Sequence, residues 1–252
     1  MASQTSSMFI RNRIYISPEE QERIGRAKIL LAGAGVGSVI AECLLRIGFQ
    51  NITLFDGDTV ELSNLNRQNY TVNDIGKAKV EALKNRLNEI NPLANIDIKN
   101  IFLTEENVRE YIQGHQIAIN AIDFTSNLPF VFDRICAEEN IPVLHPYNLG
   151  WSASVILLTR DSDTLSQLQP DFQNFEKAVV EYIINFCKKY LDNGVDWLID
   201  VLDRYVNEEV KQSPPQLSVG SYLAAALCTK IACNIVLEKP VRVFPEIYYC
   251  KF

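Results

Sequence analysis

Three closely spaced glycines, Gly33, Gly35 and Gly37, are followed after 19 residues by an acid, Asp56. A glycine-rich turn lets backbone N–H groups approach phosphate oxygens, and the positive end of a following helix adds to the attraction. An acid at this distance is the expected acceptor for ribose hydroxyl groups. These residues predict a nucleotide site, although glycines in such a turn also allow a helix to pack closely on a strand.

Two basic residues follow the acid at positions suited to phosphate chemistry. Arg67 lies in a polar loop at 57–73, and Lys79 lies near the start of the next predicted helix. Charge that develops on phosphate oxygens during nucleotidyl transfer is stabilised mainly by cations held in place. We therefore expect both side chains to face the phosphates of a nucleotide, with a solvated charged loop as the alternative.

The carboxylate of Asp123 comes at the end of an apolar segment at 117–122. The carboxyl ends of parallel strands form the edge at which open α/β sheets bind ligands. Magnesium in such sites takes one or two carboxylates together with phosphate oxygens and water. Asp123 is thus the candidate magnesium ligand, and an acid that caps a strand end is the alternative.

Apolar runs and helical repeats alternate along the first two thirds of the chain. Hydrophobic residues recur at Val36, Ile40, Leu44 and Ile47, on one face of a helix that Gly48 is placed to end. Strands are predicted at 28–32, 51–56, 96–99, 117–122, 141–144 and 154–159, and further helices at 80–90 and 130–140. This alternation predicts an α/β fold with a Rossmann-like, doubly wound, mostly parallel sheet and helices on both faces.

The last third of the chain has a different texture. Long helical stretches with little glycine or proline predict a helical insertion at 171–212, which the Ser-Pro-Pro segment at 213–215 ends. A largely buried helix is expected at 219–237, and a final strand pair is expected to start at 241–244. Because no repeat or low-complexity tract occurs, we predict a single domain over residues 1–252.

The composition is that of a soluble globular protein, with 252 residues, 47% hydrophobic and 22% charged. A net charge of -7 argues against a broad nucleic-acid surface. The sequence predicts neither a signal peptide nor a stretch of the roughly 18 apolar residues that a membrane span requires. Six scattered cysteines without a Cys-x-x-Cys pair favour reduced thiols in a cytoplasmic protein over a disulfide framework.

Two longer motifs carry a family resemblance. The sequence DGDTVELSNLNRQ at 56–68 and the sequence DIGKAKV at 74–80 resemble the ThiF/MoeB family of adenylating proteins, which are relatives of the ubiquitin-activating enzymes. The resemblance runs from Arg11 to the PQLSVGS segment at 215–221, and only the stretch around 163–212 falls outside it. The nucleotide-binding residues that it implies are Gly33, Gly35, Gly37, Asp56, Asp58, Asn64, Arg67, Gln68 and Lys79.

The resemblance also implies roles within this set. Asp56 holds the ribose, Arg67 and Lys79 bind phosphate, and Asn64 lies beside them. Lys77 is less suitable than Lys79 because the family's Gly-x-x-Lys spacing falls on Lys79. An N-terminal arginine of the family reaches a nucleotide, often that of the partner in a dimer.

That N-terminal arginine matches Arg13 better than Arg11. For either residue, the alternative to nucleotide binding is an exposed arginine in a disordered N-terminal arm.

The family's metal motif, Asp-x-x-Asp-Asn, allows two alignments with this chain. In the first, Asn120 replaces the first acid, Phe124 replaces the asparagine and Asp123 is kept as the ligand. In the second, Ser126 and Asn127 lie over the motif and the ligand is lost. We prefer the first because it needs a one-residue insertion before Cys136, whereas the second needs a two-residue deletion.

The glycine loop departs from the family's Gly-x-Gly-Gly-x-Gly. Either it has lost one residue, or alanines at Ala32 and Ala34 replace glycines. An alanine tolerates positive φ poorly and adds a methyl group near phosphate, so the second case would weaken ATP binding.

Zinc and a thioester cysteine are the other departures. Many members of the family hold zinc with two Cys-x-x-Cys pairs. This chain has no such pair, so we predict no structural zinc here. Some members use a cysteine as a covalent carrier, and Cys187 is the candidate, with a half-buried helix face as the alternative. His115 and His145 have no Ser or Cys partner at a recognisable spacing and are expected to be structural.

Together these observations predict an ATP-dependent adenylyltransferase that uses ATP and Mg²⁺. The expected substrate is a carboxylate, the C-terminus of a small ubiquitin-like carrier protein or peptide, which becomes an acyl-adenylate as pyrophosphate leaves. The expected catalytic residues are Arg13, Arg67, Lys79 and Asp123, in a homodimer with no membrane partner. The alternatives are a non-catalytic scaffold of the same family, an NAD-dependent oxidoreductase and a tRNA-modifying relative, which the acidic charge disfavours without excluding it.

Overall fold

A computed structural model describes residues 8–170, 172–191, 194–210 and 212–251. The strands are β1 (Lys28–Ala32), β2 (Asn51–Phe55), β3 (Asn95–Lys99), β4 (Ile117–Asn120), β5 (Val143–Asn148), β6 (Ala153–Leu158) and β7 (Tyr248–Cys250). The α-helices are α1 (Pro18–Arg26), α2 (Val36–Ile47), α3 (Lys79–Ile90), α4 (Val108–Ile112), α5 (Leu128–Glu138), α6 (Phe175–Tyr190), α7 (Asp196–Val206) and α8 (Ser218–Val236).

The strands form one seven-stranded sheet in the order β3-β2-β1-β4-β5-β6-β7. The first five strands in that order are parallel, and β6 and β7 each pair antiparallel with the preceding strand. The strand order reverses between β1 and β4, which opens a crevice at their carboxyl ends. The predicted doubly wound, mostly parallel α/β fold is confirmed.

The sheet is covered by helices on both faces, as expected for strands buried on two sides. Alternate side chains of β1 enter different cores, because successive residues of a strand point to opposite faces. Ile29 and Leu31 belong to the core that contains α2 and α8, whereas Leu30 and Ala32 belong to the core that contains α5 and α6. The strand is therefore fixed from both sides, and the glycine turn begins at a rigid point.

The predicted insertion contains the two helices α6 and α7, and residues 171, 192, 193 and 211 of it lie outside the described part. The strand predicted at 241–244 is wrong, since the last strand is β7 instead. The backbone N–H of Phe244 does donate to the carbonyl of Leu157 at 2.9 Å, but the next residue is Pro245. Proline has no N–H to continue a strand ladder, so the pairing stops there.

Helix α8 is long and apolar enough to cross a membrane by length and composition alone, contrary to the expectation from sequence. Half of its apolar window is buried inside the protein. The core helix of a globular domain passes the same test, and α8 packs against α2 and against strands β5 and β6. The buried apolar residues of α8 therefore pack within the fold.

Candidate functional site

A cleft of about 1200 Å³ opens at the carboxyl ends of β1, β2 and β4. Most of the sequence-predicted site residues line it, although they come from five separate segments of the chain. They are Gly33, Gly35, Asp56, Asp58, Asn64, Arg67, Gln68, Lys79 and Asp123. Of the remaining two, Gly37 and Arg13, neither lines the cleft.

The turn after β1 depends on Gly33. Its φ is +95°, in the left-handed region, and a Cβ there would lie 2.2 Å from the carbonyl oxygen of Ala121. Ala34 is not left-handed, and its N–H donates to Oδ2 of Asp56 at 2.6 Å. Ala32 belongs to β1, so neither alanine strains the loop backbone.

Helix α2 starts at the cleft without a side-chain cap, and Gly35 is its N-cap residue. Uncapped N–H groups and the positive helix end attract anions. Gly37 lies inside α2, where a Cβ would come 2.4 Å from Cδ2 of Leu31. Gly35 therefore lies at the predicted phosphate position, whereas Gly37 lets the helix approach β1.

Asp56 ties the glycine turn to the loop that follows β2. One carboxylate oxygen accepts from Ala34 N–H, and the other accepts from the N–H of Asp58 at 2.8 Å. Asp58 in turn pairs with Lys79, Oδ2 to Nζ, at 2.9 Å. Only 10% of the Lys79 side chain is exposed, so this ammonium group is confined to the cleft.

Arg67 lines the cleft and is held by three hydrogen bonds. Its Nε donates to Oε1 of Gln216 at 2.6 Å, and its Nη1 donates to the carbonyl of Ser63 and to Oδ1 of Asn66, both at 2.9 Å. Burial lowers the pKa of Arg67, whereas the negative charge of Asp123 raises it. The guanidinium is thus fixed and partly removed from water.

Asn64 and Gln68 belong to the same loop as Arg67 and also line the cleft. Oδ1 of Asn64 accepts from the N–H of Glu61 at 3.0 Å, so Asn64 stabilises the short 3₁₀ turn Leu62–Asn64. Gln68 lies beside Gly35, and its buried Oε1 has no hydrogen-bond partner among the described residues. An unpaired buried acceptor is costly, so this atom fits a ligand that carries a donor.

Asp123 carries the carboxylate at the end of β4. Burial raises its pKa, and the charges of Asp58 and Asp56 add to the rise. The charges of Lys79 and Arg67 act in the opposite direction. Among the described residues, no three acids, histidines or cysteines form a complete cation cage. Burial makes this carboxyl group costly to ionise. It therefore fits a bound cation whose other ligands are phosphate oxygens and water.

Replacing Asp123 with asparagine is expected to raise the melting temperature at pH 8. A raised pKa in the folded state means that the ionised carboxylate opposes folding once the pH exceeds the pKa in the unfolded chain. The gain should therefore disappear as the pH falls to about 4, where the unfolded carboxyl becomes protonated. Thermal melts at both pH values check this, with Asp161→Asn as the exposed control. A variant less stable than wild type at pH 8 would contradict it.

Of the other residues weighed for the metal motif, Ser126 also lines the cleft, whereas Asn120 and Asn127 do not. Asn120 is buried, and its Nδ2 donates to the carbonyl of Pro129 and to Oδ1 of Asp133. Asn127 precedes α5, and its Oδ1 accepts from the N–H of Phe172. Asp123 is the one residue of the motif that brings a carboxylate into the cleft.

Two segments of the cleft wall were not predicted from the sequence. One follows β3 and contains Phe102, a residue that is 66% exposed and whose ring lies against Gly57. The other is the strap, which we define as residues 212–216 between α7 and α8. For the strap, the proline pair was the one sequence signal that could have indicated it. The segment after β3 is an apolar triplet that follows an edge strand, and such a triplet has no distinctive sequence pattern.

Arg13 lies outside the cleft of its own chain. Its Nη1 donates to the carbonyl of Ile10, and the following Ile14 and Tyr15 are 95% and 86% exposed. Arg11 is also exposed. A contact between Arg13 and a nucleotide would therefore need a second copy of the chain, and it stays a prediction.

Cys187 lies in α6 with 2% of its surface exposed, and burial raises the pKa of its thiol to about 11. The thiolate is the nucleophilic form, so this environment opposes covalent chemistry. His145 pairs with Asp133, Nε2 to Oδ1, at 2.8 Å, and His115 joins Thr53 and the carbonyl of Ile112. Both histidines connect elements of the fold, as predicted.

A Cys187→Ala variant is expected to keep the acyl-adenylate formation that the sequence predicts within about twofold of wild type. Native wild-type protein should also alkylate at Cys187 more slowly than at the partly exposed Cys250. Pyrophosphate exchange and peptide mass spectrometry after iodoacetamide measure the two effects. A thiol-linked intermediate lost in Cys187→Ala would contradict this expectation.

A family model described as "ThiF family" matches residues 9–240. The chain is 34% identical to sulfur carrier protein adenylyltransferase of Thermus thermophilus, over 43% of this chain and 41% of that protein. It is 29% identical to molybdopterin-synthase adenylyltransferase of Haemophilus influenzae, over 66% of each. It is 41% identical to tRNA threonylcarbamoyladenosine dehydratase of Escherichia coli, over 47% of this chain and 45% of that protein. The aligned region spans less than two thirds of each relative's length.

Solved structures share the fold. PaaA superposes with a TM-score of 0.69 at 22% identity, over 98% of this chain and 76% of its own. E. coli MccB with ATP gives 0.65 at 18% identity, over 92% and 66%. E. coli tRNA N6-threonylcarbamoyladenosine dehydratase with AMP gives 0.68 at 20% identity, over 92% and 95%.

Proposed function

This chain belongs to the ThiF family, and from that premise we propose that it is an ATP-dependent adenylyltransferase. The proposed substrate is a carboxylate, the C-terminus of a small ubiquitin-like carrier protein or peptide. The observation that carries the proposal is the convergence of an uncapped helix end, two cations and an acid in one cleft. Relatives named as sulfur carrier and molybdopterin-synthase adenylyltransferases support it, as do MccB structures with ATP and with MccA.

The reaction that fits this cleft is attack of a carboxylate oxygen on the α-phosphorus of ATP. A bond forms between that oxygen and phosphorus, and the bond to the bridging oxygen breaks, so that pyrophosphate leaves with the electron pair. Arg67 and Lys79 stabilise the charge on the phosphate oxygens and on the leaving group. The N–H groups at the start of α2 bind the phosphates, and Asp56 accepts from the ribose hydroxyl groups.

Asp123 is the proposed magnesium ligand. Magnesium supplies charge neutralisation for the phosphates when it is bound. Because the described residues offer no closed cage, the remaining ligands would be phosphate oxygens and water. Phe102 presents an exposed ring at the cleft wall near Asp56 and Gly57, where a stacked adenine ring would bury apolar surface.

Nucleotide binding is the first test of the proposal, because it needs no carboxylate partner. The purified protein is expected to bind MgATP but not NAD in a calorimetric titration. Pyrophosphate exchange should then appear when a carrier protein or peptide with a free C-terminus is added. Failure to bind MgATP would overturn the proposal, and binding without exchange against every carrier would favour a non-catalytic scaffold.

A non-catalytic scaffold is the second candidate, for which the altered glycine loop and the missing zinc and thiol elements are the reasons. The absence of positive φ at Ala32 and Ala34 weakens the first of these reasons. An NAD-dependent oxidoreductase does not fit a chain of this family. Some relatives are named as tRNA threonylcarbamoyladenosine dehydratases. The exchange assay should therefore also include tRNA as a substrate.

We also propose a cytoplasmic homodimer in which Arg13 of each protomer serves the partner's nucleotide. The exposed Ile14 and Tyr15 next to Arg13 support a contact with another chain at this end. Light scattering measures the mass in solution, and mixing Arg13→Ala with Arg67→Ala protein tests sharing of a site. Recovery of exchange in the mixture would support it, and a monomer in solution would contradict it.

A further inference from the structure

The orientation of Arg67 is set by protein atoms on one side of its guanidinium. An arginine carries five N–H donors in a planar fork. The bonds to Gln216, Ser63 and Asn66 use the one donor of Nε and the two of Nη1. Within the described part of the chain, the two donors of Nη2 have no protein partner, and Arg67 lines the cleft. Those two donors are therefore left for a ligand.

Gln216 is the member of this clamp that comes from a distant part of the sequence. It ends the strap, and its backbone carbonyl also accepts from Nδ2 of Asn66 at 3.2 Å. The loop that carries Arg67 and the strap are thus joined by two hydrogen bonds, one to the side chain and one to the backbone of Gln216. Ser63 and Asn66 belong to the loop itself, so they hold Nη1 but do not link Arg67 to the strap.

We propose that Gln216 is a positioning residue for Arg67, and this inference rests on the proposed ATP-dependent function. Its side-chain oxygen holds Nε so that Nη2 faces the phosphates of the bound nucleotide. A free arginine side chain samples many rotamers, and fixing one of them before binding removes an entropic cost. A cation that is already in place also needs no reorganisation when charge develops on the phosphates.

The test replaces Gln216 with methionine, which has a similar length but lacks a strong acceptor. Calorimetry with MgATP and with adenosine, which has no phosphates, separates a phosphate effect from a general one. Gln216→Met is expected to weaken MgATP binding about tenfold and to leave adenosine binding unchanged. In an Arg67→Lys background it should have no further effect, because lysine lacks the planar fork.

Controls keep the result interpretable. Gln113→Met makes the same chemical change after α4, outside the cleft lining, and should bind MgATP like wild type. Gln216→Asn keeps the amide but withdraws the acceptor by one methylene, so it should show the same selective loss if Gln216→Met does not fold.

Three results would overturn the positioning role while wild type still binds MgATP. They are an unchanged MgATP affinity in Gln216→Met, an equal loss for adenosine, and an equal loss in the Arg67→Lys background. Wild-type protein that fails to bind MgATP would instead contradict the proposed function itself.

Discussion

Replacement of Arg67 with alanine is expected to lower ATP–pyrophosphate exchange about a thousandfold or more. The substitution removes a cation that lines the cleft and whose Nη2 donors have no partner among the described residues, so charge that develops on the phosphates loses its partner. The fold should survive, because the lost hydrogen bonds go to a partly exposed loop and to the strap. Exchange in the presence of a carrier substrate measures the first effect, and a thermal melt measures the second.

Two matched variants serve as references for the exchange rate of Arg67→Ala. Arg26→Ala removes an exposed arginine that pairs with Glu22 on α1, away from the cleft, and should leave exchange unchanged. Arg67→Lys keeps the positive charge but not the planar fork, and it should fall between alanine and wild type. Exchange within threefold of wild type in Arg67→Ala would show that this side chain does not serve the phosphates.

The framework of the site was predictable because its determinants are local in sequence. A short apolar strand, a glycine turn and an amphipathic helix at 28–47 specify where the carboxyl end of β1 must lie. Parallel pairing then brings β2 and β4 to the same edge, since Ala32 is in register with Phe55 and with Asn120. The acids that follow those two strands, Asp56 and Asp123, consequently reach one cleft.

The parts that the sequence did not predict depend on contacts between distant segments. Gln216 lies in the strap after the helical pair, and nothing in its local sequence indicates that it meets Arg67. Gly37 belonged to the glycine pattern, yet its role comes from the packing of α2 against Leu31. A glycine that contacts a ligand and a glycine that allows close packing look alike in sequence, and only the atom opposite the missing Cβ separates them.

The two alanines of the glycine loop are a second case in which the local sequence did not predict the backbone conformation. Of the two alignments with the family's glycine loop, one has lost a residue, and the other places both Ala32 and Ala34 where the family has glycines. In the folded chain the left-handed residue is Gly33, and Ala34 uses its N–H to hold Asp56. The loop can therefore accept alanine on both sides of Gly33 without strain, but it cannot accept alanine at Gly33.

A Gly33→Ala variant is expected to lose about 3–5 kcal/mol of unfolding free energy. One part of the loss is the left-handed backbone, with φ of +95°, and the larger part is the 2.2 Å approach of the new methyl group to the carbonyl oxygen of Ala121. That carbonyl has little freedom to move. The N–H of Ala121 donates to Ala32 and the N–H of Gly33 donates to Phe55, both at 2.8 Å, so the turn is held to its two neighbouring strands.

Gly114→Ala is the matched control, because Gly114 has a φ of +80° and a Cβ there would meet nothing within 4 Å. It carries the backbone strain without the clash and should lose about 1–2 kcal/mol. Urea unfolding measures both variants, and the difference between them reports the steric part alone. MgATP binding should be lost in Gly33→Ala and kept in Gly114→Ala, since only the first displaces the turn at the start of α2. Equal stability losses would mean that the β1 turn can relax, and Gly33 would then serve conformation rather than the close approach of β1 to β4.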